Sequence, residues 1–236
     1  MADLLDERGV AHMEIMIETP QSLLMLPKLI EAGRGKIIAA HFGPYDYTAS
    51  LGIAKQHILH PACDFARAMM QAQAAGLGLR LADGPTNRMP VPVHRGPSIS
   101  AREATENRAA VERGWRAHYE NVRHALLSGF YQGWDLHPAQ LVSRFAAVYT
   151  FFLDGLDETA QRLKNFIAKA AQSTVISGVF DDAATGQGLL NYFLRAINCG
   201  AIAESDVPAL AGVSIEELRA GSFEQIVAAV ARRVPA

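Results

Sequence analysis

Apolar and polar positions along this chain switch repeatedly between a strand-like and a helix-like rhythm. Residues 13–18 (MEIMIE) mix apolar residues with acids and read as a strand, which Pro20 stops. Residues 21–32 carry a helical pattern, with Pro27 placed to open its main part, and Gly33 and Gly35 punctuate its end. Residues 36–42 (KIIAAHF) form a nearly continuous apolar run, as expected of a strand covered on both faces, ended by Gly43 and Pro44. A loop through Gly52 then leads to a helix over 60–76, with Pro61 at its start and Gly76 at its end. Residues 77–85 (LGLRLADGP) give a third strand closed by an acid and a turn.

The second half repeats the alternation and then abandons it. Residues 86–100 hold three prolines in a long loop of the kind that often caps a site. Ser100 and Glu103 form a capping box for a charged helix over 101–128 that Gly129 breaks. Residues 130–137 (FYQGWDLH) read as a fourth strand, and Pro138 opens a helix reaching Phe152. After it the pattern is helical only, near 157–172, 186–198, 214–219 and 222–233. Residues 1–12 are a short polar lead-in. Four strands alternating with helices predict an α/β fold with right-handed parallel connections, half of an eight-stranded barrel, over residues 1–155. A helical extension over 156–236 follows.

Composition narrows the function classes. At 236 residues, 50% apolar and 19% charged, the chain has the makeup of an ordinary soluble globule, with a net charge of −2 and no basic run to attract nucleic acid or an anionic membrane. No apolar run reaches the length of a membrane span, and acids precede the first apolar run, which argues against a secretory signal. Cys63 and Cys199 are far apart and lack metal or redox spacing, so reduced thiols in a cytoplasmic protein are expected.

Candidate chemistry gathers on residues 13–46. Glu18 closes the first strand and Asp46 follows the second. Neighbouring parallel strands deliver their ends to one face, where sites are built. Two carboxylates there suit a small hard cation, Mg²⁺ or Mn²⁺. Surface carboxylates capping loops are the plain alternative. Strand alternation sets His41 on the same face as Gly43, as a partner or carrier of protons, or as a packed, hydrogen-bonded histidine. Asp83 suits a turn with Gly84. His60 and His137, each followed by proline, suit helix starts, and the GQG at 186–188 is read as a helix start rather than a phosphate loop.

Three motifs resemble the HpcH/HpaI aldolase and citrate lyase β-subunit family of TIM barrels: MIETP (16–20), HFGPYDYTASLGI (41–53) and GWDLHPAQL (133–141). The likeness covers roughly residues 13–155 and extends, through residues 181–202, to a branch known only as "aldolase". It implies a partial TIM barrel made of the last four β/α units. It further implies a metal held by Glu18 and Asp46, and a substrate carboxylate received by the turn Gly43-Pro44-Tyr45, with Tyr45 and Asp46 the amide donors because Pro44 has no N–H.

The implied activity is a carbon–carbon lyase acting on a small 2-oxo acid or hydroxyacid; His41, from its strand position, is the candidate catalytic residue beside it. Some relatives have Gln where this chain has Met16, which sets its aldehyde specificity apart. Family members also place four strands, a carboxylate-binding arginine and a general base ahead of the first motif. The sequence reading therefore expects a half-barrel with exposed strand edges and apolar sheet faces, a homo-oligomer, and weak turnover by the chain alone. An acyl-CoA ester lyase or thioesterase, and a non-catalytic assembly module, are the competing expectations.

Overall fold

The computed structural model describes residues 12–177, 183–220 and 222–232. The reading of the first eleven residues as a lead-in lies outside them. The chain divides between Ala147 and Val148 into two compact units.

The first unit is built on a four-stranded parallel sheet in sequential order: β1 (Met13–Ile17), β2 (Ile37–Phe42), β3 (Arg80–Asp83) and β4 (Gln132–Gly133). In register, Met16 lies beside His41, His41 beside Ala82, and Ala82 beside Gln132. Alternation then gives the sheet two unlike faces. Ile17, Ala40 and Phe42 are buried in an apolar core with helical side chains such as Leu23, Leu26, Cys63 and Met70. The other face carries Glu14, Met16, His41, Arg80 and Gln132, of which only His41 is not exposed. The expectation of an exposed apolar face is corrected here. Ala39 and Ala82 on that face are small and buried, and the larger positions around them are mostly polar.

Helix breaks follow proline chemistry. The predicted helix over 21–32 is two helices, α1 (Pro20–Leu24) and α2 (Leu26–Ala32), separated at Met25. Pro27 has no N–H for the carbonyl of Leu23, and its ring would press on that carbonyl in a continuous helix. The predicted loop after β2 is instead α3 (Pro44–Ser50), capped by Gly43 and begun by Pro44, whose fixed φ suits a first helical position. α4 (Pro61–Ala74) and α5 (Ala101–Leu127) match expectation, including the Ser100–Glu103 capping box.

The fourth strand is far shorter than residues 130–137. Gln140 accepts from the backbone N–H of Leu136 at 2.8 Å and of His137 at 3.3 Å, which turns these residues out of the ladder and into a 3₁₀ turn (Pro138–Gln140). The loop over 86–100 is strapped to α5. Asn107 accepts from the backbone N–H groups of Val93 and His94 and donates to the carbonyl of His94. Gly114 lets Pro90 approach so closely that an added Cβ would sit 2.5 Å from it.

α6 (Leu141–Leu153) runs across the division between the units. The second unit continues with α7 (Leu156–Ser177) and α8 (Ala183–Asn198), then the short helices α9 (Val207–Ala211), α10 (Ile215–Arg219) and α11 (Phe223–Ala231). Leu163, Leu190, Phe193 and Phe223 are among its buried residues. The GQG motif lies in the first turns of α8, where Gly186 makes room for the Phe223 ring. No helix among the described residues is long and apolar enough to cross a membrane, and Cys63 and Cys199 are both free.

Candidate active site

The C-terminal ends of the parallel strands form a rim closed by small residues. The Gly43 amide donates to the Ile17 carbonyl at 2.9 Å, so the turn after β2 is stitched to the end of β1. A Cβ on Gly43 would lie 2.6 Å from Glu18 Cβ and 3.1 Å from Glu18 Oε2, so glycine here is what admits the Glu18 side chain beside the turn. Gly84 does the same one strand further on, where an added Cβ would meet Pro44 Cδ at 2.2 Å and the Phe42 carbonyl at 2.8 Å.

Glu18 follows β1 and is half-buried, whereas Asp46 sits in the first turn of α3 and is exposed. Among the described residues neither carboxylate has a hydrogen bond or ion pair of its own. No group of three or more His, Cys, Asp and Glu side chains among the described residues is arranged to hold a metal. Two carboxylates without cationic partners are oxygen donors of the kind Mg²⁺ takes, a cation that keeps waters and substrate oxygens for its other positions.

The predicted substrate turn is the N-terminus of α3. Gly43 is its cap and Pro44 its buried first residue. The next amides, of Tyr45 and Asp46, are in the first turn, where intrahelical acceptors are lacking. Tyr45 reaches across the rim: its hydroxyl donates to the Pro85 carbonyl at 3.1 Å and accepts from the Asn87 amide at 3.2 Å. Burial pushes its titration above that of an ordinary tyrosine, so it stays a neutral phenol.

His41 lies one layer below Gly43 on the open face. Its Nε2 is 2.6 Å from Glu14 Oε2, and its ring meets Trp134 edge to face at 6.0 Å between centroids. Its partner is therefore Glu14, not either proposed metal ligand. The alternation of MEIMIE, which sets Glu14, Met16 and Glu18 on one face, carried the signal for Glu14. Trp134 stands within the motif GWDLHPAQL, but nothing in the sequence set its ring against His41.

Other singled-out residues are structural. His60 and His137 each cap a helical turn through Nδ1, accepting the amides of Ala62 and Ala139 at 3.1 Å. Gln140 is fully buried and ties its turn to the Thr86 carbonyl at 2.9 Å. Asp83 accepts from the Gly84 amide at 2.9 Å and from Arg67 Nε at 3.0 Å, the turn role expected of it plus a buried ion pair the sequence reading missed. Arg67 is 1% exposed and also bonds Asp64 and the Ile58 carbonyl.

A second missed cluster joins His118, Asp135 and Arg144. Asp135 is gripped by two Arg144 nitrogens at 2.7 and 2.8 Å and contacts His118 Nε2 at 2.8 Å, while His118 Nδ1 lies 2.9 Å from Ser143 Oγ. Its connectivity is that of a nucleophile, base and acid. Ser143, however, is buried and also reaches the Gln140 carbonyl at 3.0 Å, so it is a packed hydroxyl rather than an accessible nucleophile. Burial, with the Arg144 charge, holds His118 below the ordinary histidine titration despite Asp135.

Among solved structures, this chain is similar to the crystal structure of a citrate lyase from Burkholderia xenovorans LB400, at 18% identity and a TM-score of 0.56. The likeness covers 88% of this chain and 60% of that one, and it shows a citrate lyase-like fold. The chain thus spans less than two thirds of that structure's length. Comparison with curated proteins finds no match. A family described as "Domain of unknown function (DUF6986)" matches residues 2–226, nearly the whole sequence, and the chain belongs to that family.

Proposed function

We propose that this protein is a metal-dependent carbon–carbon lyase of the HpcH/HpaI aldolase type, acting on a small 2-oxo acid or hydroxyacid. The observation that carries the reading is the rim itself. Glu18 and the turn leading to Asp46 abut at the ends of adjacent parallel strands, across a glycine that a Cβ would displace. The similar solved structure is described as a lyase of citrate, a hydroxyacid, which agrees in reaction class.

Glu18 and Asp46 would hold Mg²⁺ or Mn²⁺. Bound there, the cation supplies Lewis-acid stabilisation of the negative charge that develops on a substrate oxygen. Gly43, Pro44 and Tyr45 shape the pocket for the substrate carboxylate, with the amides of Tyr45 and Asp46 aligned by the first turn of α3. His41, one layer down on the same face, carries the proton. Four parallel strands in sequential order agree with a segment of a β/α barrel, and its open polar face with a barrel's interior.

Calorimetry tests the reading. Mn²⁺ should bind the full chain, oxalate should bind only with Mn²⁺ present, and Glu18→Ala should weaken Mn²⁺ by about 10-fold or more. An intact chain that ignores Mn²⁺ would overturn it.

A further inference from the structure

The long helix α5 carries one charge spacing twice and uses it in two ways. Arg102 Nε reaches Glu106 Oε1, one turn on, at 2.8 Å. Arg108 and Glu112 repeat that spacing, yet among the described residues neither has an ion pair. Arg108 donates to the neutral Thr105 hydroxyl at 3.2 Å, and both charged side chains stay exposed. One positive and one negative charge therefore stand a turn apart without partners.

A groove of about 360 Å³ opens beside them, lined by Pro92, Asn107, Arg108, Val111, Glu112 and Trp115. Small-molecule sites span about 300–1,000 Å³. Arg108, Val111, Glu112 and Trp115 fall at i, i+3, i+4 and i+7, which is one face of the helix. Pro92, on the segment 86–100, supplies the other wall.

Both walls are already fixed. Buried Asn107 spends its side chain on the backbone of Val93 and His94, which holds the neighbouring Pro92 in place. Gly114 seats Pro90 against the helix. The Trp115 N–H is bound to the Ala139 carbonyl at 2.8 Å, so its ring offers a set apolar plane rather than a free donor. A groove that needs no rearrangement loses little affinity to ordering.

We propose that this groove binds a free α-amino acid with an aromatic or branched apolar side chain. That side chain lies on Trp115, Val111 and Pro92, the carboxylate meets Arg108, and the ammonium meets Glu112. A guanidinium takes a carboxylate through paired N–H donors. A zwitterion on an apolar stem is the complement of two opposite charges above an apolar floor, whereas a simple anion is repelled by Glu112. No residue of the strand-end rim takes part, so the assignment stands apart from the lyase reading.

NMR of the ¹⁵N-labelled full chain, titrated with L-phenylalanine, tests it. The Trp115 indole resonance should move, with a Kd of about 1 mM or below, and that of Trp134 should stay. 3-Phenylpropanoate, which lacks the ammonium, and phenethylamine, which lacks the carboxylate, should each bind about 5-fold more weakly. Arg108→Gln and Glu112→Gln change exposed residues and keep the fold, and each should weaken phenylalanine by about 5-fold. Glu112→Gln should leave 3-phenylpropanoate within about 2-fold, and Arg108→Gln should do the same for phenethylamine.

A Trp115 resonance that stays put up to about 10 mM phenylalanine overturns the proposal. So does phenylalanine binding that neither substitution weakens. Equal binding of uncharged N-acetylphenylalaninamide also overturns it, and makes the groove a seat for a peptide side chain instead.

Discussion

The two faces of the four-stranded sheet are made from alternating residues of the same strands, yet they obey different rules. On the covered face Phe42 is fully buried, packs on Tyr47 at 5.4 Å and lies under the Arg67 guanidinium at 5.6 Å. Even the charge there, Arg67 with Asp83, is enclosed and saturated with partners. On the open face the next residue back, His41, is bonded through Nε2 to the exposed Glu14 carboxylate. Burial selects shape on the first face, and the second keeps long, mostly polar side chains at the edge of solvent.

The sharpest way to break this contrast is to cut both neighbours. Phe42→Ala should cost about 3–5 kcal/mol in urea unfolding, the range for emptying a packed aromatic site. His41→Ala should change stability by less than about 1 kcal/mol, because its pair with half-exposed Glu14 is solvated. Equal losses would erase the distinction between the faces.

Gly84 sharpens the comparison at the rim. It belongs to the open face by register, but the space beside it is already filled by Pro44 and the Phe42 carbonyl. Gly84→Ala should therefore cost about 1–3 kcal/mol, visible as a lowered thermal midpoint and weaker Mn²⁺ binding, since the turn carrying Asp46 has to shift.

The smallest effect concerns His118, on the helical layer. Because its folded-state titration is depressed, the unfolded chain takes up the proton first as the pH falls. Stability from this group is complete above about pH 6.5 and declines below it until the folded histidine titrates. His118→Gln should remove that part of the decline in urea midpoints measured between pH 8 and pH 5.

What could be read from the sequence was what local chemistry dictates. Strand positions, the Ser100–Glu103 box and the two His-Pro caps depend on neighbours within four residues. The break at Met25 was also written in Pro27, but it was read as a helix start rather than as a missing donor. The fourth strand was overextended because its end is decided by Gln140, which takes the amides that a ladder would use. Arg67 with Asp83, and His118 with Asp135, join residues 16 and 17 apart through tertiary approach that no period announces. At the site, Glu18, Gly43 and Asp46 came from motifs. That Glu14 and Trp134 both meet His41 needed the fold.

The Tyr45 hydroxyl has a consequence for how a ligand would be felt at a distance. It fastens the turn bearing Asp46 to the start of the long segment that follows β3, and Asn107 and Asn121 fasten that segment in turn to one long helix. A tug on Asp46 is thus transmitted along a tethered strand of backbone rather than lost in a loose flap. Occupancy of the rim should slow amide exchange at Asn87, whose N–H is held by the Tyr45 hydroxyl.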